Sequence, residues 1–345
     1  MQNNFLNLNE LTLMLTSNCN LRCRYCYENK KDVHMSREVI KKSIDFLNRN
    51  TRYEHPVVSI FGGEPFLTPD TLKFSFDYAI KKNPNVRFKI ITNGTILNRK
   101  IRFLLRKYKA FIVGFHLSMD CNQKMHDAYR VYPSGAGSWA DIKRNLPFFL
   151  QLFPDLTVQA RFDARKTKKS DLVKFVKELG HNRINSVSIF PIAETISSNN
   201  CSFLLSEYLN LAKWHREKDN KAMKYISQLR PIYLKSPSGG KVYPCSAGKG
   251  LLFIDSDGSI FPCIEFWIAQ REKLGSIHKP NIGKIALFQR TLTFKYDDKK
   301  KYYFCAAKHK KNDGNLYTNS INRFDYPERL FLMIILAVHK EQASE

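Results

Sequence analysis

Three cysteines near the start of the 345-residue chain constrain its structure more than any other feature. Cys19, Cys23 and Cys26 have the spacing C-x3-C-x2-C and directly follow the apolar run at residues 11–15, which predicts a buried strand that ends in a cysteine loop. Cysteine thiolates are the usual ligands of a cubane 4Fe-4S cluster. Three thiolates on one short loop would leave one iron open to another ligand.

Two other uses of these cysteines fit less well. A structural zinc site needs four ligands, and the next histidine after the loop is His34. Disulfides need an oxidising compartment, whereas residues 1–7 lack the basic and uninterrupted apolar segments of a secretory signal. We therefore expect reduced thiols in a cytoplasmic protein.

A second motif follows the predicted strand Val57–Phe61. It consists of Gly62, Gly63, Glu64 and Pro65. Glycines at the end of a strand let the backbone come close to a ligand, so this segment predicts a binding site beside the cysteine loop.

Two further strands end in polar residues. The strand Arg87–Thr92 leads into Asn93, and the strand at 111–118 leads through Ser118 to Asp120. In barrels of parallel strands, the functional groups lie at the carboxyl ends of the strands. A plain N-cap of the next helix is the alternative role for the last two side chains.

The cysteine spacing, the aromatic Tyr25 before the third cysteine and the Gly-Gly-Glu-Pro segment together resemble the radical S-adenosylmethionine (SAM) superfamily. The resemblance implies that the amino and carboxylate groups of SAM bind the open iron. It also implies that one electron from the cluster cleaves SAM to methionine and a 5'-deoxyadenosyl radical. Residues 62–65, with Glu64 among them, would hold the SAM amino group.

The same resemblance implies roles for residues on later strands. Thr92 and Asn93 match the family's Thr-Asn-Gly segment, and Ser118 and Asp120 are expected near the SAM ribose. Arg161 is polar in a run that should be buried. It is expected to meet a carboxylate of SAM or of the substrate, or to be a paired structural arginine.

Strands and helices alternate along the first two thirds of the chain. Further strands are predicted at 156–163 and 186–190, and Ser36 is a predicted cap for an amphipathic helix. Six such units predict an α/β fold with a parallel sheet, the partial (β/α)6 TIM-like barrel of the radical SAM family. We expect this core at 1–225 and a smaller cysteine-containing β-hairpin/helical extension at 226–345.

The extension contains a second cysteine set. An Asp-Gly pair at 257–258 predicts a hairpin that brings Cys263 back toward Cys245. The segment resembles the start of a SPASM or Twitch extension, which implies one auxiliary 4Fe-4S cluster held by Cys245, Cys263 and Cys305. The fourth position is expected to be open or held by a residue other than cysteine. His309 is a candidate for it, although a histidine in a charge run is usually solvated.

The extension also bears on the substrate. Many radical SAM enzymes with such an extension modify peptides, so a peptide or protein substrate is expected, with RNA or a small metabolite as the alternative. Sulfatase maturases resemble the chain in the barrel, but carry a catalytic Asp directly after the hairpin cysteine, where this chain has Ile264. Glu265, on the other face of a predicted strand, is the remaining candidate base.

Charge adds one question about partners. The net charge is +25 at pH 7, which favours encounters with anionic partners. The lysines are spread along the whole chain and no RNA-binding module is recognisable, so nucleic-acid binding is disfavoured.

The apolar run at 330–338 is far shorter than the ~20 residues of a membrane-spanning helix, so no membrane association is expected. An external electron donor of the flavodoxin or ferredoxin type is expected.

Overall fold

One sheet of ten strands organises the residues that the structure describes. The structure is a computed structural model, and it describes residues 6–217, 225–226, 247–248 and 250–294. Six parallel strands lie side by side in chain order: β1 (Glu10–Met14), β2 (Val57–Phe61), β3 (Arg87–Thr92), β4 (Ile112–Ser118), β5 (Thr157–Phe162) and β6 (Ser186–Pro191). The predicted strands and their parallel order are therefore confirmed.

Helices fill the connections between these strands. They are α1 (Arg37–Arg49), α2 (Pro69–Lys82), α3 (Arg99–Lys107), α4 (Gln123–Tyr129), α5 (Trp139–Leu152) and α6 (Asp171–His181), and α7 (Ser198–Glu217) follows β6. The sequence signals behave as expected in α1, where the Ser36 side chain accepts a hydrogen bond from the Val39 amide. Ile40 and Ile44 of the same helix are buried against the sheet.

The two faces of the sheet differ in character because side chains alternate along each strand. Leu13 and Ile60, which are register partners in β1 and β2, belong to the large apolar core that the helices cover. The opposite face is polar near the start of the strands. There Glu10 accepts a hydrogen bond from Ser59 Oγ at 2.6 Å and pairs with Lys89 Nζ at 2.6 Å.

The extension continues the sheet. β7 (Tyr225–Ile226) pairs with β6, and β8 (Leu251–Ile254) pairs in parallel with β1. β9 (Ser259–Phe261) returns antiparallel to β8, and β10 (Gly275–Ser276) lies at that edge. Gly258 has a φ of +85° in the turn, so the predicted Asp-Gly hairpin is confirmed.

The segment after the hairpin differs from the prediction. β9 ends at Phe261, and Cys263 is the N-cap of a short helix, α8 (Ile264–Ile268), before α9 (Ile282–Phe294). Glu265 therefore lies in a helix and not in a strand, so the strand-based assignment of its face was wrong. The remaining predicted auxiliary ligands, Cys245 and Cys305, and also His309, lie outside the described residues. The domain boundary at 225/226 stays a prediction.

Among the described residues, no helix combines the length and apolar character that crossing a membrane requires.

Replacement of a core phenylalanine tests this architecture. Phe88 in β3 is fully buried and its ring centre lies 4.3 Å from that of Phe76. Phe88→Ala should lower the free energy of unfolding by ~3–5 kcal/mol, because it removes buried contacts and leaves a cavity. Phe103→Ala is the matched control on the exposed face of α3, and should change it by less than ~0.5 kcal/mol. Urea unfolding measures both, and equal effects would contradict the core assignment.

Candidate active site

The cysteine loop leaves the end of β1 and is fastened at its base. The Thr16 hydroxyl and the Ser17 amide both donate to Val33 O, at 3.0 Å each. Along the loop, Cys19 is buried, Cys23 is half-buried and Cys26 is exposed. The structure therefore places the three cysteines on one loop at the carboxyl edge of the sheet. In the described part of the chain, no three metal-binding side chains are gathered around a single point.

Cys19 is the innermost of the three. Its Sγ lies 3.4 Å from the Leu21 amide and 3.8 Å from Asn93 Nδ2, which are both donors. Burial, reinforced by the charge of Glu64, raises the pKa of the Cys19 thiol to about 12. A thiolate forms at such a position when a metal binds it, because coordination removes the proton. This environment suits a metal ligand better than a free nucleophile.

Gly62 and Gly63 lie against the backbone of the cysteine loop. A Cβ on Gly63 would be 2.2 Å from Asn18 O, and one on Gly62 would be 2.4 Å from Thr16 O. The close approach also forms hydrogen bonds, from the Gly63 amide to Thr16 O at 2.7 Å and from the Glu64 amide to Asn18 O at 2.9 Å. These glycines therefore make room for the cysteine loop, and the expected approach of the same backbone to a ligand stays a prediction.

Glu64 is a fully buried carboxylate at the centre of this edge. It accepts hydrogen bonds from Thr92 Oγ1 at 2.7 Å, from the Asn93 amide at 2.7 Å and from the Phe66 amide at 3.0 Å. Burial raises its pKa to about 7, because the hydrogen bonds from three neutral donors lower the pKa by less than burial raises it. A carboxylate has about four lone-pair positions, so one further donor fits. A cationic donor such as the ammonium of SAM would offset the cost of burial.

The Thr92–Asn93 segment connects Glu64 to the cysteine loop. Asn93 Nδ2 donates to Asn20 Oδ1 at 2.9 Å in addition to its contact with Cys19. In addition, Asn145 Nδ2 donates a hydrogen bond to Gly94 O at 3.0 Å. The predicted SAM-binding residues of β2 and β3 are thus brought together around the innermost cysteine. Their direct contacts with SAM stay a prediction.

Asp120 has a structural role that the sequence did not indicate, and its expected position near the SAM ribose stays a prediction. The N-cap of α4 is Asn122, so the helix-cap hypothesis for Asp120 was wrong. Asp120 is fully buried, and its Oδ2 accepts a hydrogen bond from Tyr25 OH at 2.8 Å and lies 3.0 Å from Arg130 Nε. Its Oδ1 accepts from the Arg161 amide at 2.9 Å. The carboxylate therefore fastens the cysteine loop to β5, while Ser118 stands half-buried at the end of β4.

Sequence reasoning missed Arg130. It lies just after α4, it is buried, and its guanidinium is 5.3 Å from the centre of the Tyr25 ring. Its charge opposes the effect of burial, which raises the pKa of the Cys23 thiol. A buried arginine at the end of a short polar helix produces no periodic pattern in the sequence. Only its spacing from Asp120 could have suggested that the two residues form an ion pair.

Arg161 is an exposed side chain at the end of β5. Its guanidinium lies 5.0 Å from the centre of the Phe190 ring, and among the ion pairs of the described residues none includes it. Within the described part of the chain Arg161 thus contacts an aromatic ring rather than a carboxylate, and both of its expected roles stay predictions. The side chain is free to meet a carboxylate of a ligand.

The hairpin extension contacts the far end of the cysteine loop. The Tyr27 ring is 6.0 Å from that of Trp267 in α8, and Trp267 Nε1 donates to Asp255 Oδ2 at 2.7 Å. Burial, then the charge of Asp255, raises the pKa of Glu28 to about 7. Ile264 packs against the apolar cluster that includes Trp267. Aromatic and acidic side chains thus lie together just after Cys26 in the chain.

Gly63→Val tests this packing role of the glycines. The branched side chain would meet Asn18 O and Ser17 O, so it should displace the backbone next to Cys19. We expect reduced iron incorporation together with reduced SAM binding. Iron content after anaerobic reconstitution measures the first, and equilibrium dialysis the second.

Gly250→Ala is the control for this substitution, because its Cβ would meet only Asn9 Cβ at an ordinary 3.8 Å. It should retain both properties. A Gly63→Val protein with full iron content would contradict the packing role.

Comparisons with known proteins agree with this geometry. Residues 13–160 match the family model described as Radical SAM superfamily. The "Cysteine-type anaerobic sulfatase-maturating enzyme" of Clostridium novyi (strain NT) is 24% identical over 314 residues, which cover 82% of this chain and 79% of that protein. The "Antilisterial bacteriocin subtilosin biosynthesis protein AlbA" of Bacillus subtilis (strain 168) is 31% identical over 180 residues, covering 49% and 37%.

A solved structure shows the same fold over nearly the whole length. "Native anSMEcpe with bound AdoMet and Cp18Cys peptide" superposes with a TM-score of 0.72 at 18% identity, covering 97% of this chain and 98% of that chain. The family match falls on the strands and loops that carry the cysteines, the Gly-Gly-Glu-Pro segment and Glu64. Residues 13–160 therefore form a domain of the radical SAM superfamily.

Proposed function

We propose that this radical SAM enzyme abstracts a hydrogen atom from a peptide or protein substrate, and so initiates a crosslink, an epimerisation or an oxidation. The observation that carries the proposal is the position of the hairpin. β8 continues the sheet beside β1, and Trp267 of α8 contacts Tyr27 next to Cys26. In this proposal the extension would form one wall of a substrate recess above the strand ends, where an extended peptide would lie beside the cysteine loop.

The printed names of the similar proteins support the same substrate class. One is a sulfatase-maturating enzyme, a second belongs to subtilosin biosynthesis, and the solved structure holds a peptide together with AdoMet. A small metabolite or an RNA finds no comparable support among these three. The particular residue and bond on which this chain acts follow from none of them.

Different residues of the site would hold the cluster and the different groups of SAM. Cys19, Cys23 and Cys26 would hold the 4Fe-4S cluster, and Glu64 would accept a hydrogen bond from the SAM ammonium. Ser118 would contact the ribose, and Arg161 would meet a carboxylate of SAM or of the substrate. When bound, the cluster and SAM supply the 5'-deoxyadenosyl radical. The protein orients these groups, and it binds the peptide at the recess.

An auxiliary 4Fe-4S cluster belongs to the same proposal. Cys263 begins α8 at the end of the hairpin, so its position is fixed relative to the recess. Cys245 and Cys305 would complete the set with it. Such a cluster would accept the electron that a substrate radical must lose when an oxidation or crosslink is completed.

Formylglycine formation is the second candidate function, and the coverage of the sulfatase-maturating relative favours it. The difference lies after the hairpin cysteine. Ile264 is partly buried against the apolar cluster around Trp267 and cannot accept a proton. Glu28, Asp255 and Glu265 are nearby carboxylates among the described residues. One of them would have to act as the base in place of the residue at position 264.

A sulfatase-derived peptide that contains the target Cys or Ser distinguishes the two functions. With reduced enzyme and SAM, we expect 5'-deoxyadenosine but no efficient formation of formylglycine, because the aliphatic Ile264 stands at the position of the base. Mass spectrometry of the peptide provides the measurement. Efficient conversion to formylglycine would establish the second candidate and overturn the first.

Removal of the loop cysteines tests the cofactor assignment. The Cys19→Ala, Cys23→Ala, Cys26→Ala triple variant should lose about half of roughly eight irons per chain, since two 4Fe-4S clusters are proposed. It should also lose SAM cleavage altogether. Iron analysis and chromatography of 5'-deoxyadenosine measure the two effects. Continued production of 5'-deoxyadenosine by the triple variant would refute the role of the loop.

A further inference from the structure

The cysteine loop separates two surfaces of opposite character. At its hairpin end, beyond Cys26, stand Tyr27, Glu28, Asp255 and Trp267, an aromatic and acidic set. The other end of the loop has no acidic residue, since residues 19–27 contain two arginines and neither Asp nor Glu. The first surface is the recess assigned to the peptide substrate. The second has no function in that assignment.

This second surface is held together by backbone pairing. The Arg22 amide donates to Val131 O at 2.6 Å, and the Arg24 amide donates to Tyr129 O at 2.9 Å. Both arginines are exposed, although Arg22 Nη1 also donates to Cys19 O at 2.6 Å. Two exposed cationic side chains therefore flank Cys23 in the chain, and that of Arg22 contacts the carbonyl of Cys19.

Side chains from the end of β5 extend the surface. Lys166 Nζ lies 5.6 Å from the centre of the Tyr129 ring, and Arg165 Nε lies 3.1 Å from Asp163 Oδ1. The side chains of Arg165 and Lys166 are 61% and 64% exposed, whereas that of Asp163 is fully buried. Arg165 and Lys166 thus share the buried carboxylate of Asp163, while Arg22 and Arg24 add two exposed positive charges on the neighbouring loop.

The surface is also close to the position of the cluster. The Tyr129 ring is 5.8 Å from the ring of Tyr25, which lies in the chain between Cys23 and Cys26. A partner that rests on Tyr129 and the neighbouring bases would be separated from the cysteine loop by two aromatic side chains. Arginine and tyrosine are also the residue types enriched at protein interfaces.

We propose that Arg22, Arg24, Tyr129, Arg165 and Lys166 form the docking surface for a small acidic electron-transfer protein that reduces the 4Fe-4S cluster. Complementary charge would steer the encounter and speed association, as expected for a transient redox complex with an interface below ~1,200 Å². One electron leaves the reduced flavin or iron-sulfur centre of the donor and reduces the bound cluster. The peptide would approach from the hairpin side, so both partners could bind together.

The test compares two reductants with different sizes. Cleavage of SAM to 5'-deoxyadenosine is measured without peptide, driven either by a purified acidic flavodoxin in its reduced form or by dithionite. The Arg24→Glu, Lys166→Glu double variant should lower the flavodoxin-driven rate at least about fivefold at low salt, because like charges then oppose docking. The dithionite-driven rate should stay within about twofold, since a small reductant needs no docking surface.

Direct binding gives a readout apart from turnover. The Kd of oxidised flavodoxin for the reconstituted enzyme should rise at least about fivefold in the double variant. For the wild-type enzyme, that Kd should rise between about 20 mM and about 200 mM NaCl, because salt screens exposed charges. Lys81→Glu, Lys82→Glu is the matched control, with the same charge change at the last turn of α2, and should leave the Kd and both rates unchanged.

Three results would overturn the proposal. The first is an unchanged flavodoxin-driven rate and Kd in the double variant. The second is an equal loss with flavodoxin and with dithionite, which would make the surface part of the SAM site or of the fold. The third is an unchanged flavodoxin-driven rate with weaker binding of an acidic peptide, which would assign the surface to the substrate. Absence of 5'-deoxyadenosine with dithionite in the wild-type enzyme would instead refute the catalytic assignment itself.

Discussion

The contact between the cysteine loop and the end of β2 determines the rest of the site. The two backbones approach so closely that Gly63 has no space for a side chain, and the Gly63 and Glu64 amides bind loop carbonyls. Two parallel strands, β1 and β2, thereby fix the position of Cys19 relative to Glu64. Because the loop is anchored by backbone hydrogen bonds, its course does not depend on flexible side chains.

Periodicity and motif spacing predicted much of this molecule. The six strands, their parallel order and the hairpin at Gly258 follow from apolar runs and turn residues, because those signals are local in the chain. The pairing of β8 with β1 joins segments about 240 residues apart, and no local pattern specifies such a partner. The same limit applies to Glu265, since a five-residue helix and a short strand cannot be told apart by period.

The motif residues of the site could be predicted from the sequence, whereas the residues that hold the cysteine loop in place could not. Cys19, Gly63 and Glu64 belong to motifs with fixed spacing, so their positions at one edge of the sheet could be expected. Asp120 and Arg130 come into contact only when the chain folds. From the sequence alone, the aspartate could equally be a helix cap and the arginine a surface residue. The glycines show a second limit, since the sequence indicates a close approach but not which group approaches.

The pair of Asp120 and Arg130 explains how a buried charge can be kept behind a metal-binding loop. Removing two charges from water costs more than their attraction alone returns, unless other groups use the remaining hydrogen-bonding positions. Here Tyr25 OH and the Arg161 amide donate to the Asp120 carboxylate in addition to its ion pair with Arg130. The arginine also opposes the effect of burial on the pKa of Cys23, which lowers the cost of forming a thiolate there. Asp120 therefore positions the loop, while the charge of Arg130 opposes part of the rise in the pKa of the Cys23 thiol.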